Sequence, residues 1–349
     1  MWEIPMSGDA RFSWEYDEGR ARLLDLYQKG KDRQWDADKR IDWSIEVDPC
    51  NAFGVPDQAS PLFGTVWWDK LGESGRKELR HHQASWQFSQ FLHGEQGEAA
   101  PDLDAKFYSA TQTMDEARHV ETFKRFLLEK LDLVYPINDQ LQKLLAETLT
   151  DSRWDMPYLG MQVLIEGLAL AAFGVARDIT TQPLPKQILT YVMQDEARHV
   201  AFGRMALRDY YKDLSAAELR EREDFVIEGC HLMKDRIRQY EVWEHFGLPI
   251  PEIKQVLDGS KFMNMYQSFL FSRIVPCVKD IGLWGERVQR AYTDMGVIDM
   301  ARQDLDALMR ADEEQADRLD AERFAAEEEA RRAEVDELIE LERREEARS

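Results

Sequence analysis

The chain predicts an all-α fold, a bundle of long antiparallel helices with an irregular N-terminal wrap and extra C-terminal helices. Three observations predict it. From about residue 76 to 290, apolar positions recur at helical spacing over stretches of 25–30 residues, longer than the globular average. Pro101, Pro136, Pro157, the Pro183/Pro185 pair and the Pro249/Pro251 pair punctuate those stretches, as joints between helices do. No segment alternates apolar and polar with period two, so a sheet is not expected.

Taken in order, residues 1–75 are rich in tryptophan and broken by Pro49, Pro56 and Pro61. They read as a wrap with a short helix near 17–30. The bundle proper is expected over 76–290, with helices at 76–98, 102–131, 139–149, 155–178, 184–213, 215–246 and 252–283. Residues 291–349 read as a further helix and a charged tail. Its last forty residues hold sixteen acidic and eight basic side chains, the composition of a solvated helix or an interaction arm.

Composition excludes several function classes. Hydrophobic residues make up 44% of the 349, enough to build a folded core. A net charge of −22 disfavours a nucleic-acid groove and an anionic membrane surface. Cys50, Cys230 and Cys277 are far apart, which rules out a four-cysteine metal module and suits a reducing compartment. The start, MWEIPMSGDARF, lacks the regions of a signal peptide. The longest apolar run, 160–176, is short for a bilayer and contains Gln162 and Glu166. A cytoplasmic protein is expected.

The chemistry-bearing signal is an internal repeat. MDEARHVETF at 114–123 and QDEARHVAFG at 194–203 share Asp-Glu-Ala-Arg-His-Val at an offset of eighty residues. In each copy Glu and His stand three apart, Glu116 with His119 and Glu196 with His199. That spacing places both side chains on one helical face, able to grip one ion together. One Glu-x-x-His is commonly a surface pair; two inside a matched hexapeptide are not. Asp115 and Asp195 precede His119 and His199 by one turn, where each could hold the distal nitrogen of its own histidine. Arg118 and Arg198 could keep those aspartates ionised in a buried setting.

A two-metal site needs further carboxylates from two other helices. Glu166 is the lone ionisable residue in GMQVLIEGLALAAFGVA, and an unpaired buried carboxylate is costly unless something binds it. It precedes Glu196 by thirty residues, so a hairpin turning near 181–185 brings both to similar height. Glu95 is the expected fourth carboxylate, with Glu98 as its rival. The Glu95–Glu116 spacing is nine residues shorter than the Glu166–Glu196 spacing, a mismatch of about 13 Å at 1.5 Å per residue. His81, His82, His93, His231 and His245 have no partner spacing and read as surface or core histidines.

Glu95, Glu116-x-x-His119, Glu166 and Glu196-x-x-His199 together resemble the ferritin-like di-iron carboxylate superfamily, over roughly residues 76–215. The Asp-Glu-x-Arg-His form looks most like its oxygenase branches, including bacterial multicomponent monooxygenases and p-aminobenzoate N-oxygenase-like proteins. The resemblance implies two carboxylate-bridged irons that activate O₂, with Glu116, His119, Glu166, Glu196 and His199 at the reacting centre. An iron–manganese pair would use the same ligands. Phe123 stands where the small subunit of class I ribonucleotide reductase carries a tyrosine, which argues against a tyrosyl radical. Val192 stands where the N-oxygenases carry an additional histidine, so a six-ligand site is expected. Leu170 replaces a threonine of the multicomponent hydroxylases.

The implied function is O₂-dependent oxidation or oxygenation of a small, largely apolar organic substrate. Electrons would come from a separate reductase or ferredoxin, and a homodimer is common in such families. Two alternatives stay open: a ferroxidase or peroxide scavenger, and a structural subunit that has lost its metals.

Overall fold

The computed structural model describes residues 21–94 and 103–346, and among these there is no strand. The helices in chain order are α1 (Ala21–Asp32), α2 (Ala37–Arg40), α3 (Val66–Gly94), α4 (Leu103–Phe126), α5 (Asp139–Thr150) and α6 (Asp155–Tyr158). There follow α7 (Glu166–Ile179), α8 (Pro183–Tyr210), α9 (Ala216–Arg236), α10 (Tyr240–His245) and α11 (Ile250–Gly259). The chain continues through α12 (Lys261–Leu270), α13 (Ile274–Asp280), α14 (Glu286–Asp294) and α15 (Leu305–Glu346). The all-α bundle expected from the apolar spacing is the fold observed. Its ends follow local chemistry. Asn138 caps α5, Pro183 opens α8, and Ser215 with Glu218 forms a capping box on α9.

Four segments enclose the core: α3, α4, the stretch leading into α7, and α8. Phe88, Phe91, Phe123, Phe126 and Phe173 interlock between α3, α4 and α7 with ring centroids 4.4–5.9 Å apart. Fully burying one such side chain is worth about 1.5–3 kcal/mol. The turn between α7 and α8 needs only Thr180–Gln182. Glu166 and Glu196 therefore rise to the same level on adjacent helices.

Residues 155–179 form one continuous helical rod, longer than the apolar run read from the sequence. It is long and apolar enough to cross a membrane, yet 83% of its most apolar window is buried inside the protein. Leu159–Ile165 within it is wound as a π-helix that ends directly at Glu166. Such local unwinding re-aims side chains and recurs at functional sites. Gly160 makes the packing possible, since a Cβ there would sit 2.2 Å from Thr148 Oγ1.

Two long expected helices are broken. The 215–246 helix stops at Arg236, passes Gln239 in the left-handed region (φ 55°), and resumes as α10. No glycine or proline marks the break. It is set by Val242 and Trp243, which turn into a satellite core with Trp68, Leu79, Trp86 and Ile253. The 252–283 helix is divided at Ser260, whose side chain caps α12, and again at Phe271–Arg273. The charged tail is helical as far as Glu346, and its first half docks through Ala316 and Leu319, which pack on the core, and through charge. Asp312 is buried between Arg273 Nη2 (2.6 Å) and Arg177 Nη1 (3.4 Å), and Asp320 accepts from Arg40 Nη2 (2.6 Å) and Tyr191 Oη (3.1 Å).

Candidate metal centre

The repeated hexapeptides lie on α4 and α8, side by side in the bundle interior. Glu116, Glu166, Glu196 and His199 are all buried, and one ligand atom from each lies within 4.8 Å of the others. His119 joins them, with Nδ1 3.0 Å from Glu196 Oε1 and 3.7 Å from Glu116 Oε2. His199 Nδ1 lies 3.2 Å from Glu116 Oε1 and 3.3 Å from Glu196 Oε2. Glu166 Oε1 accepts a hydrogen bond from Gln112 Nε2 at 3.0 Å. Glu95 and its rival Glu98 lie outside the described residues. Gly94, the last described residue of α3, lines a small cavity together with Glu116 and Glu166.

The aspartates correct one expectation. The repeat suggested that each aspartate holds the histidine of its own helix; the bonds run between the helices instead. His119 Nε2 meets Asp195 Oδ2 at 3.2 Å, and His199 Nε2 meets Asp115 Oδ2 at 3.3 Å. The contacts are reciprocal, as a local two-fold between α4 and α8 requires. Sequence spacing shows which residues share a helix face, but not which neighbour that face meets. Arg118 contacts both Asp115 and Asp195, the latter at 2.8 Å, and Arg198 contacts Asp195.

Two residues of the N-terminal wrap, unmarked by any motif, complete this layer. Gln34 Nε2 donates to Asp115 Oδ1 and its Oε1 accepts from Arg118 Nη1, both at 2.8 Å. Trp35 Nε1 donates to Asp195 Oδ2 at 2.8 Å, and the Arg118 guanidinium lies over the Trp35 ring. Burial works against the Asp195 charge, but Arg198, His119 and Arg118 outweigh it and hold the carboxyl well below its usual range. Tyr108 on α4, also unforeseen, stacks on Phe202 at 4.2 Å and meets the His199 ring edge-on at 6.4 Å. Val192 is fully buried in apolar surroundings and supplies no further imidazole.

The arrangement calls for a cation. With both Nε2–H groups directed at aspartates, the Nδ1 lone pairs point toward the glutamates. Both oxygens of Glu196 are buried without a hydrogen-bond donor. Lone pairs facing carboxylate oxygens at 3.0–3.3 Å repel unless positive charge lies between them. Imidazole with carboxylate is a donor set suited to iron or manganese. Burial opposes a charged His199, yet Glu196, Asp115 and Glu116 raise its pKa well above the ordinary imidazole value.

Three cavities lie beside the centre, each sharing lining residues with the next. The innermost, about 10 Å³, touches Glu116 and Glu166 and has room for about one water. It shares Gln90, Phe91, Ala169 and Arg236 with a middle cavity of about 30 Å³. That cavity shares Gln87, Ile237, Gln239 and Tyr266 with an outer one of about 140 Å³. Arg236, only 8% exposed, stands at the inner junction. Among the described residues no carboxylate bonds directly to its guanidinium, which contacts Met233 Sδ at 3.8 Å, while Glu241 acts on it from farther away. Burial lowers its pKa to about 10, still charged at neutral pH.

No curated protein matches the sequence. Among solved structures, similar chains are variants of an R2-like ligand-binding oxidase. One, with an anaerobically reconstituted Mn/Fe cofactor, is 18% identical, with a TM-score of 0.46 over 77% of this chain and 96% of that one. Another, reconstituted aerobically, is 17% identical, with a TM-score of 0.41 over 87% and 93%. The family model described as P-aminobenzoate N-oxygenase AurF matches residues 17–282, most of the chain. The protein belongs to the AurF family of ferritin-like di-iron carboxylate proteins and is a non-haem di-iron oxygenase or oxidase.

Proposed function

We propose that this chain oxidises a small organic acid with an apolar body, using O₂ and electrons from a separate donor protein. Glu116, His119, Glu166, Glu196 and His199 hold the two metals, with Glu95, next in sequence to Gly94, as the remaining carboxylate. Asp115, Asp195, Arg118 and Arg198 orient the two imidazoles. When bound and reduced, the irons supply O₂ activation. The chain's own residues position the substrate and exclude water.

The observation that carries the substrate class is Arg236. Among the described residues no carboxylate bonds directly to this buried guanidinium, a charge that costs several kcal/mol to bury unless an anion reaches it, and it lines the small cavity that touches Glu116 and Glu166. The p-aminobenzoate of the family name has this chemistry, a carboxylate on an apolar ring, and is the first compound to try. The composition supports a cytoplasmic location, and a homodimer is the assembly to look for first.

The test is O₂ consumption during ferrous titration. For an oxygenase cofactor, uptake without substrate stops once two irons per chain are oxidised, and resumes on adding reductant with an organic acid. Sustained oxidation of many irons per chain would instead identify a ferroxidase, and a folded chain taking up under one iron would identify a structural subunit.

A further inference from the structure

Away from the di-iron centre, the described residues bring together one other group of potential ligands: Glu78, His82 and His245. The sequence separates them, and the break that created α10 unites them. Glu78 and His82 are one turn apart on α3 and so share a face. His245 ends α10, with its ring stacked on that of His82 at 3.9 Å and 27°. One ligand atom from each residue lies within 4.8 Å of the others. We propose that these three side chains form a divalent-cation site, for Zn²⁺ or a similar late first-row ion, which fastens α10 to α3.

The donor set is two imidazoles and a carboxylate, which suits such ions and leaves a position for water. His82 is already oriented. Its Nδ1 is engaged by the Tyr135 hydroxyl at 2.6 Å, so Nε2 is the nitrogen left to ligate. Metal-bound imidazoles commonly have an outer partner of this kind. Burial, then His245 and His81, hold the His82 pKa below the usual imidazole value, which keeps the ring in its neutral, ligating form. Among the described residues, neither Glu78 nor His245 has an ion pair or hydrogen bond drawing it elsewhere.

The distances are within reach of closure. Around an ion with bonds of 2.0–2.1 Å, tetrahedral ligand atoms stand roughly 3.4 Å apart. Closing from at most 4.8 Å takes up to about 1.4 Å of motion, and because a metal–imidazole bond lies in the ring plane, the exposed His245 ring must also turn out of its stack on His82 to aim a nitrogen at the ion, while the exposed Glu78 swings in.

The position gives the site a consequence. α10 has six residues between the left-handed Gln239 and Gly247, and so short a helix has little stability of its own. Trp243 of α10 and Gln83, the neighbour of His82, both line the outer cavity. An ion joining α3 to α10 fixes that wall. The site shares no residue with the di-iron centre and stands whether or not the substrate reading above is correct.

The test is Zn²⁺ binding by the full chain after its di-iron centre is loaded with iron, with bound iron measured in the same samples. One Zn²⁺ per chain is expected beyond the iron. H245A, at an exposed position, should weaken Zn²⁺ on the order of 100-fold with iron content and the zinc-free melting temperature unchanged. Y135F should weaken it about tenfold. Absence of zinc uptake, or equal uptake by the parent and H245A, would overturn the proposal.

Discussion

Replacing Asp195 with asparagine tests the cross-braced layer most directly. Asp195 is fully buried and accepts at Oδ2 from Trp35 (2.8 Å), Arg118 (2.8 Å) and His119 (3.2 Å), and at Oδ1 from Arg198. An amide carries one oxygen and one NH₂, and donors face both sides. Whichever way it flips, an N–H meets an N–H, and two buried guanidinium groups are left to share Asp115. Breaking a buried pair in this way costs about 3–5 kcal/mol. Loss of an outer partner to a ligating histidine weakens metal about 10–100-fold, or about 1.4–2.8 kcal/mol. The assay pairs anaerobic ferrous titration with thermal unfolding. Asp25→Asn serves as control, because its pair with Lys29 is largely exposed and worth at most about 0.5 kcal/mol. In zinc-loaded protein, the imidazole Nε2–H resonance disturbed by D195N should be that of His119, on the other helix. A D195N protein with parental iron affinity and melting temperature would refute the bracing argument. Disturbance of His199 alone would refute the crossing.

Further outcomes follow from single groups. Glu166→Gln removes the carboxylate from the apolar run 160–176, so it should lower iron content yet leave the metal-free protein as stable or more so. Iron analysis and melting curves check both halves together. Arg236→Gln should weaken binding of p-aminobenzoate by about 1.5–3 kcal/mol, leaving a neutral analogue such as aniline unaffected; equal loss for both would remove the anion anchor. For the metal-free chain, the His199 pKa is raised above its unfolded value of about 6.5. Its contribution to stability is therefore complete below about pH 6.5 and is lost as pH rises through the folded value. Iron must expel that proton, so the iron-induced gain in melting temperature should grow from pH 6 to pH 8.5, and a flat profile would contradict the assignment.

The helices were legible where local signals were strong. Proline joints and long apolar periodicity marked most of the bundle, and the absence of a proline or glycine near Gln239 hid the break that makes α10. The same limit applies to the centre. Glu166 stood out because a single carboxylate in an apolar run needs a reason to be there, and the doubled hexapeptide marked its own histidines. Gln34, Trp35 and Arg236 gave no sign, because an isolated polar residue is informative only once its burial is known. His82 and His245 were set aside for want of spacing, and a tertiary turn supplied the contact.

By itself the sequence determined the fold class and which side chains share each helical face, since helical periodicity is a property of neighbours along one chain. Only the tertiary structure decided what each face meets. It sent Asp115 to His199 and Asp195 to His119, set Arg236 in the wall shared by the two inner cavities, and packed the charged tail through Ala316, Asp312 and Asp320. These pairings depend on how helices far apart in sequence pack against one another, which no local pattern encodes.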